Sequence, residues 1–328
     1  MRPTPPAPLP GSATVASGGT VASTPRDRLL AEAGVLVVVL CWAANFVVVK
    51  GAISDLPPLV FTGLRYVVAS ISLLALLRLR TGTIAVPRRD LALAIGLGAL
   101  GFGVYQVFWI SGLTAITAGE SALFVATSPV IVALVASAMG VEGLSVAKVG
   151  GVLLSFGGVA IVIGAGGEVT LGASLVGDVL TLAGTVAWAT YTVLTARAMR
   201  RIDVVPLTAW AVVGGTLVLL PLMVWQWTTT PGVVIDGSHV FAILYSGVLA
   251  AGLANVLISH GVRLVGPTRV TVLQYLVPAL AVVLGAVFLR EEIRPGHVLG
   301  GAVIVLGVVL MRAAGSGRLR VERPAVRR

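Results

Sequence analysis

Aromatic and polar side chains recur at helical spacing inside apolar stretches of this sequence. Asn45 follows Trp42 by three residues, and Tyr191 follows Trp188 by the same spacing. Residues three apart share one face of a helix, so each pair places an aromatic ring beside a hydrogen-bonding group. Such a face suits the wall of a cavity that binds a small amphipathic molecule. Packing between helices, with the polar group satisfied by a neighbour, is the alternative interpretation.

A second set of uncharged polar side chains lies in other apolar stretches. Its members are Tyr105, Gln106, Asn255 and Gln274. A buried polar group is costly unless it has a partner or faces water. We therefore predict that these four residues line the same cavity, with hydrogen bonding between helices as the alternative.

The sequence offers few of the residue spacings that are typical of enzymes and metal sites. Gly96–Gly101 has the spacing of a dinucleotide fingerprint, but it lies inside an apolar stretch with no preceding strand. The three histidines are far apart and lack the spacing of a zinc site. The carboxylates of Asp178 and Asp203 are isolated from each other. The sequence thus predicts no catalytic residue, no metal and no cofactor, and we do not expect an enzyme.

The elements that position the polar residues must be membrane helices. Of 328 residues, 57% are hydrophobic and 11% are charged, whereas soluble domains carry about 25% charged residues. So few charges cannot cover a water-soluble fold of this size, and hydrocarbon must solvate much of the surface. The net charge of +10 comes largely from basic residues at segment ends and in the C-terminal tail. That distribution predicts contact with membrane lipid and no nucleic-acid partner.

Ten apolar segments are each about long enough to cross a bilayer as a helix, which predicts an all-α membrane protein. They are residues 33–53, 58–78, 91–111, 117–139, 145–165, 174–195, 206–227, 238–260, 266–289 and 295–312. Residues 1–29 are predicted to form a disordered cytoplasmic tail, and residues 313–328 a basic cytoplasmic tail.

The distribution of arginine predicts the orientation. An even number of spans places both termini on one side, and the loops on that side carry Arg78, Arg88 and Arg201 among others. The loops after spans three, five and seven contain no Lys or Arg. The positive-inside rule then places both termini in the cytoplasm, and we expect the plasma membrane.

Two charged residues near the ends of spans two and four are candidates for a gate or for coupling. We hypothesise that Arg65 and Glu120 form an ion pair or an outer-gate contact. Independent placement of each charge at the membrane–water interface is the alternative. Glu120 is also a candidate proton acceptor.

Two prolines within predicted spans indicate helix kinks. Pro129 and Pro278 each remove one backbone hydrogen bond. The kink could face a cavity or flex as a gate, or it could be static. We expect the hydroxyls of Thr127 and Ser128 to satisfy groups freed near Pro129.

The two halves of the sequence resemble each other. At a constant offset of 149 residues, Gly112, Pro129, Glu142, Gly151 and Gly158 align with Gly261, Pro278, Glu291, Gly300 and Gly307. Trp42 aligns with Trp188 at an offset of 146. The repeats are residues 30–165 and 172–312, with five spans each. Because five is odd, the second copy must enter the membrane from the opposite side, as in alternating-access carriers.

The aligned residues also predict local roles. Glu142 and Glu291 fall in short loops, where helix N-capping or a loop salt bridge is expected. The glycines recur every seven residues and predict a close-packed stripe, with an interface between subunits as one location.

These features together resemble the EamA-type branch of the drug/metabolite transporter superfamily, over about residues 33–312. The similarity rests on Cys41-Trp42-Ala43-Ala44-Asn45-Phe46, on Arg65-Tyr66, and on the paired prolines and glutamates. The resemblance implies a ten-helix transporter with internal termini and a central cavity. Members often export amino acids, metabolites or toxic compounds, while relatives carry sugars or nucleotide sugars, so the substrate stays open.

We therefore expect a secondary active transporter that exports small metabolites, such as amino acids or related amphipathic compounds, by alternating access. Its energy source is a proton gradient or the gradient of the substrate itself. A channel or receptor-like membrane protein is the alternative, and an intramembrane enzyme is less favoured. The sequence leaves the oligomeric state open.

Overall fold

The structure, a computed structural model, describes residues 25–140, 145–165, 173–199, 201–254, 257–258, 270, 273–274 and 276–316. These parts are helical, and no strand occurs among them. The helices are α1 Pro25–Ala52, α2 Pro58–Thr81, α3 Arg88–Gly98, α4 Tyr105–Leu113, α5 Ala118–Val125, α6 Ser128–Ala138, α7 Val146–Ala165, α8 Ala173–Ala198, α9 Val204–Thr229, α10 Gly237–Leu244, α11 Leu276–Leu289 and α12 Pro295–Ser316. Two π-helical segments, π1 Ala99–Val104 and π2 Tyr245–Leu253, continue α3 and α10.

The lengths and apolar surfaces of these helices suit a lipid environment. Within the described residues, six helices are long and apolar enough to cross a membrane, and four shorter apolar helices accompany them. Large hydrophobic side chains face outward, such as Val287 at 66% and Phe288 at 69% exposure. In water such a surface would drive aggregation, whereas in a bilayer it costs nothing. The chain is therefore a multi-pass membrane protein.

The two π-helical segments lie at equivalent positions of the two sequence repeats. An offset of 149 residues carries π1 onto residues 248–253, which are part of π2. A π-helical turn holds an extra residue, so it re-aims the side chains that follow, and such turns are frequent at functional sites. Neither segment was predicted, because its residues have the same apolar character as an α-helix.

Helices α7 and α12 pack directly on each other through glycines. A Cβ atom at Gly158 would lie 2.7 Å from the Gly300 carbonyl oxygen, and one at Gly307 would lie 2.6 Å from that of Gly151. The Ser155 hydroxyl donates to the Ile304 carbonyl oxygen at 3.1 Å between these contacts. Residue numbers that rise along α7 thus pair with residue numbers that fall along α12, so the two helices are antiparallel. This confirms the close-packed stripe and places it within one chain.

The break expected at Pro129 lies between α5 and α6. The proline leaves the Val125 carbonyl without its usual donor, and the Ser128 hydroxyl donates to it at 2.5 Å. The Thr127 hydroxyl donates to the Phe124 carbonyl at 2.6 Å. The prediction is confirmed for Ser128; the Phe124 carbonyl also accepts the Thr127 backbone N–H at 3.0 Å, so the Thr127 hydroxyl does not replace a bond that the proline removes. Pro278 is buried at the third position of α11, and the residues before it are only partly described.

Candidate binding site between the repeats

A buried arginine lies at the centre of a polar cluster inside the helix bundle. Arg65 is the eighth residue of α2, about 10 Å along the helix from its start, and its side chain is only 5% exposed. Its Nη1 donates to Ser246 Oγ at 2.7 Å, and its Nη2 donates to Gln106 Oε1. Ser246 Oγ in turn donates to Asn45 Oδ1 at 2.6 Å. This chain of hydrogen bonds joins α1, α2, α4 and π2, and it therefore connects both repeats.

The Arg65 guanidinium is also surrounded by aromatic rings. Its Cζ lies 5.2 Å from the ring centroid of Tyr66, 5.3 Å from that of Trp109 and 5.8 Å from that of Phe61. Contact with a ring face offsets part of the cost of a buried cation, by about 0.5–2 kcal/mol for each well-placed ring. Its Nε has no hydrogen-bond partner.

Aromatic residues of α8 pack against π1 and the start of α4. The Trp188 ring lies 5.4 Å from that of Tyr105 and 5.2 Å from that of Tyr191, centroid to centroid. The Phe102 ring in π1 contacts both α8 aromatics, at 5.7 Å and 5.1 Å. Gly101 permits this approach, because a Cβ there would lie 2.2 Å from the Tyr191 ring. The result is an aromatic wall next to the polar cluster.

Trp42, in the first repeat, makes a contact equivalent to that of Trp188 in the second repeat. Trp42 in α1 donates its indole N–H to the Ala250 carbonyl oxygen in π2 at 3.0 Å. Trp188, its counterpart in α8, contacts π1. Each repeat thus places its tryptophan against the π-helical segment of the other repeat: α1 contacts π2, and α8 contacts π1.

The structure brings six of the eight predicted cavity residues to one region of the bundle. They are Trp42, Asn45, Tyr105, Gln106, Trp188 and Tyr191. Gln274 is helical and half-buried, and Asn255 lies outside the described residues. Sequence reasoning missed Ser246, although a hydroxyl inside an apolar stretch is the same signal that identified the others. Whether these residues bind a substrate stays a prediction.

Arg65 and Glu120 do not form the hypothesised ion pair. Arg65 is bonded within the bundle to uncharged groups, so placement at the membrane–water interface is also wrong for it. Glu120 Oε1 lies 3.1 Å from His297 Nε2, and Glu120 Oε2 accepts from the Thr117 backbone N–H at 2.9 Å. Glu120 is the third residue of the short helix α5, and the capping box with Thr117 holds its side chain at that helix end.

A cavity of about 530 Å³ opens at the end of the bundle where α1 ends and α5 begins. Its lining includes Lys50, Glu120, Glu291 and His297. Lys50 Nζ donates to the carbonyl of Leu113, the last residue of α4, at 2.6 Å and to that of Ile116, in the loop before α5, at 2.7 Å. The cavity is therefore lined by charged groups that also hold helix ends together.

Glu291, from the loop between α11 and α12, caps α5 of the other repeat. Its Oε1 accepts from the Ala118 N–H at 2.7 Å, and its Oε2 from the Gly119 N–H at 3.3 Å. The N-capping role predicted for this glutamate is confirmed, and the capped helix lies far away in sequence. Glu142 lies outside the described residues. No group of three metal-ligating side chains is found among the residues that the structure covers.

A bundle of long apolar helices, with a polar and aromatic cluster where the two sequence repeats meet, is the architecture of an integral membrane protein. The sequence profile of the EamA-like transporter family matches residues 29–164 and again residues 175–313. The chain therefore belongs to the EamA-like transporter family, and it is a membrane transporter rather than an enzyme. The double match confirms the internal repeat.

Relatives with curated names cover nearly the whole chain. An uncharacterized transporter of Archaeoglobus fulgidus is 30% identical over 276 residues, which are 84% of this chain and 94% of the relative. A probable terminal-alkyne amino-acid exporter of Streptantibioticus cattleyicolor is 29% identical, over 86% of this chain and 93% of its own. A probable amino-acid metabolite efflux pump of Salmonella typhimurium is 25% identical, over 92% and 98%.

The fold also has a solved counterpart. A crystal structure of a protein that is 22% identical superposes with a TM-score of 0.61, covering 90% of this chain and 99% of the other. At this identity the similarity concerns the fold alone.

Proposed function

We propose that this protein is a secondary active exporter of small metabolites, such as amino acids or related amphipathic compounds, and that it works by alternating access. Two relatives are named as a probable amino-acid exporter and a probable amino-acid metabolite efflux pump. The cluster around Arg65 combines hydrogen-bonding groups with an aromatic wall, which is the surface that an amphipathic solute needs.

The architecture in this proposal has ten spans in two inverted five-helix repeats. The four shorter apolar helices complete the six long ones. The observation that carries the proposal is the reciprocal contact of α7 and α12, where Gly158 meets Gly300 and Gly307 meets Gly151. Equivalent helices that meet antiparallel, with Ser155 bonded to its own counterpart Ile304, fit a two-fold axis in the membrane plane. Such symmetry provides two related packings, one open to each side.

Orientation and energy coupling follow from charges. In this proposal both termini lie in the cytoplasm, as the arginine distribution favours, and the protein resides in the plasma membrane. The cavity near Glu120 then opens outward, and membrane lipid surrounds the bundle. Glu120 and His297 are 3.1 Å apart in that cavity, so this pair is our candidate for exchanging a proton with the outer solution.

Inversion is tested by the accessibility of equivalent loops. In a Cys41→Ser background, Ser54→Cys and Asp203→Cys each place one thiol in the first loop of one repeat. An impermeant maleimide should label Ser54→Cys in intact cells and label Asp203→Cys only after permeabilisation. Labelling of both from the same side would overturn the inverted architecture.

Transport itself is tested by counterflow in proteoliposomes. Vesicles are preloaded with each unlabelled proteinogenic amino acid in turn, and for at least one of them they should accumulate the same labelled compound transiently, with saturation and trans-stimulation. An absence of exchange across the whole panel would overturn the amino-acid assignment. A leak without saturation would favour a channel.

A further inference from the structure

The Arg65 guanidinium has no carboxylate partner among the described residues. Its side-chain partners, Ser246 and Gln106, are uncharged, and its Nε has none. The acidic side chains with described contacts lie elsewhere: Glu120 contacts His297 and Glu291 caps α5. A guanidinium carries five N–H donors, so hydrogen bonds to two neutral acceptors leave both donors and charge available.

A buried cation inside a membrane helix is costly unless an anion accompanies it. The aromatic rings and amide oxygens around Arg65 offset part of that cost, but they carry no full charge. We infer that Arg65 is the anchor for the carboxylate of the transported solute, so that the substrate class is organic monocarboxylates, including amino acids with a free α-carboxylate. This inference rests on the proposed transport function and specifies the substrate group that the site recognises.

Charge and shape favour a monocarboxylate over other anions. One guanidinium balances the carboxylate of the solute, whereas a phosphate dianion would leave a buried negative charge. Arg65 does not balance the ammonium group of an amino acid, which needs acceptors of its own. The planar N–H fork of arginine matches a carboxylate in geometry. Trp109 lies beside the guanidinium and stacks on Tyr105 with ring centroids 6.4 Å apart. Trp109 is only 3% exposed in this packing, so the rest of the solute would contact these rings in a packing that opens between them.

Matched pairs of ligands test the inference in the unmodified protein. The probes are L-phenylalanine against L-phenylalaninamide and phenylacetate against phenylacetamide, which differ in the anionic carboxylate. The first readout is the ligand-induced rise in melting temperature of the full chain in detergent. The second is competition against the best-exchanged amino acid in counterflow. We expect each acid to act at concentrations at least about 100-fold lower than its amide.

Variants at two arginines of the same helix provide the control. Arg65→Gln should abolish the difference between acid and amide, and Arg65→Lys should keep a part of it, with about tenfold weaker binding. Arg80→Gln makes the same charge change at the exposed end of α2 and should behave as the unmodified protein. If Arg65→Gln does not elute as a folded protein in size-exclusion chromatography, Arg65→Lys and the ligand pairs decide.

The outcomes separate this inference from the proposed function. Exchange of a solute with equal competition by acid and amide would overturn the carboxylate anchor and leave transport standing. Stabilisation by the acids without exchange of any solute would support the anchor and overturn the transport assignment. Sodium chloride at the same concentration should not mimic the acids, and an equal effect of chloride would overturn recognition of an organic carboxylate.

Discussion

Replacing Glu291 by alanine would remove the cap that one repeat provides to a helix of the other. The carboxylate accepts the Ala118 N–H at 2.7 Å and the Gly119 N–H at 3.3 Å. A hydrogen bond to a charged group contributes about 1.5–3 kcal/mol, and the longer bond counts for little of that. The favourable position of a negative charge at a helix N-terminus adds about 0.5 kcal/mol. We expect Glu291→Ala to lower the free energy of unfolding by about 2–3 kcal/mol.

A second substitution disturbs the same carboxylate without touching Glu291. A Cβ atom at Gly285 would lie 2.3 Å from Glu291 Oε2, so Gly285→Ala must displace the side chain from α5. Because both changes break the same contact, their effects should not add. The double variant should be only about as unstable as the worse single variant, which a double-mutant cycle measures as coupling.

The assay is equilibrium unfolding in mixed micelles, followed by tryptophan fluorescence. Glu292→Ala is the matched control, since its carboxylate is 76% exposed and pairs only at the surface with Arg294. That pair should contribute less than about 1 kcal/mol. The reasoning is refuted if Glu291→Ala and Glu292→Ala change stability equally, or if Gly285→Ala and Glu291→Ala add in full.

Three further substitutions have clear expected outcomes. Gly158→Leu should separate α7 from α12 and destabilise the protein by about 3 kcal/mol or more, whereas Gly157→Leu, which meets no atom within 4 Å, should elute and melt as the unmodified protein does. The buried Trp109 indole N–H donates to the Ser121 hydroxyl at 3.0 Å, and Ser121→Ala removes this acceptor. Unfolding measurements should show that the free energy of unfolding falls by about 1–2 kcal/mol. The backbone N–H of His239, in the capping box of α10, holds the pKa of Asp236 below its usual value. The Asp236 carboxylate therefore stabilises the fold at pH values above its ordinary pKa, and this stabilisation is lost as the pH falls through the lowered pKa. The melting temperature of Asp236→Asn should approach that of the unmodified protein in acid, and a difference that stays constant with pH would contradict the capping role.

The local features of the site were within reach of the sequence. A polar residue in an apolar segment must find a partner, so Asn45, Gln106 and Arg65 could be identified without a structure. The contacts of Ser128 near Pro129 were also predictable, because a hydroxyl beside a helix break has few other acceptors. The first inference needs only the cost of burying a polar group, and the second concerns a hydroxyl whose acceptor is close in sequence.

The partners of those residues could not be read from the sequence. Glu120 and Arg65 attract each other in principle, but Glu120 meets His297 and Arg65 meets Ser246. Opposite charge says nothing about distance, and the choice among candidate partners depends on how far each helix lies from the others. The π-helical segments could not be predicted either, because an extra residue in a helical turn changes the direction of the side chains and leaves the apolar composition of the segment unchanged.

Composition and the offset of 149 residues determined the class of this protein from the sequence alone, because charges are costly in hydrocarbon and a duplication leaves aligned residues in the chain itself. The tertiary structure decided which side chains meet. Contacts such as Glu291 with Ala118 join residues 173 positions apart, and only the packing of helices, through glycines that admit a neighbouring backbone, fixes such distances.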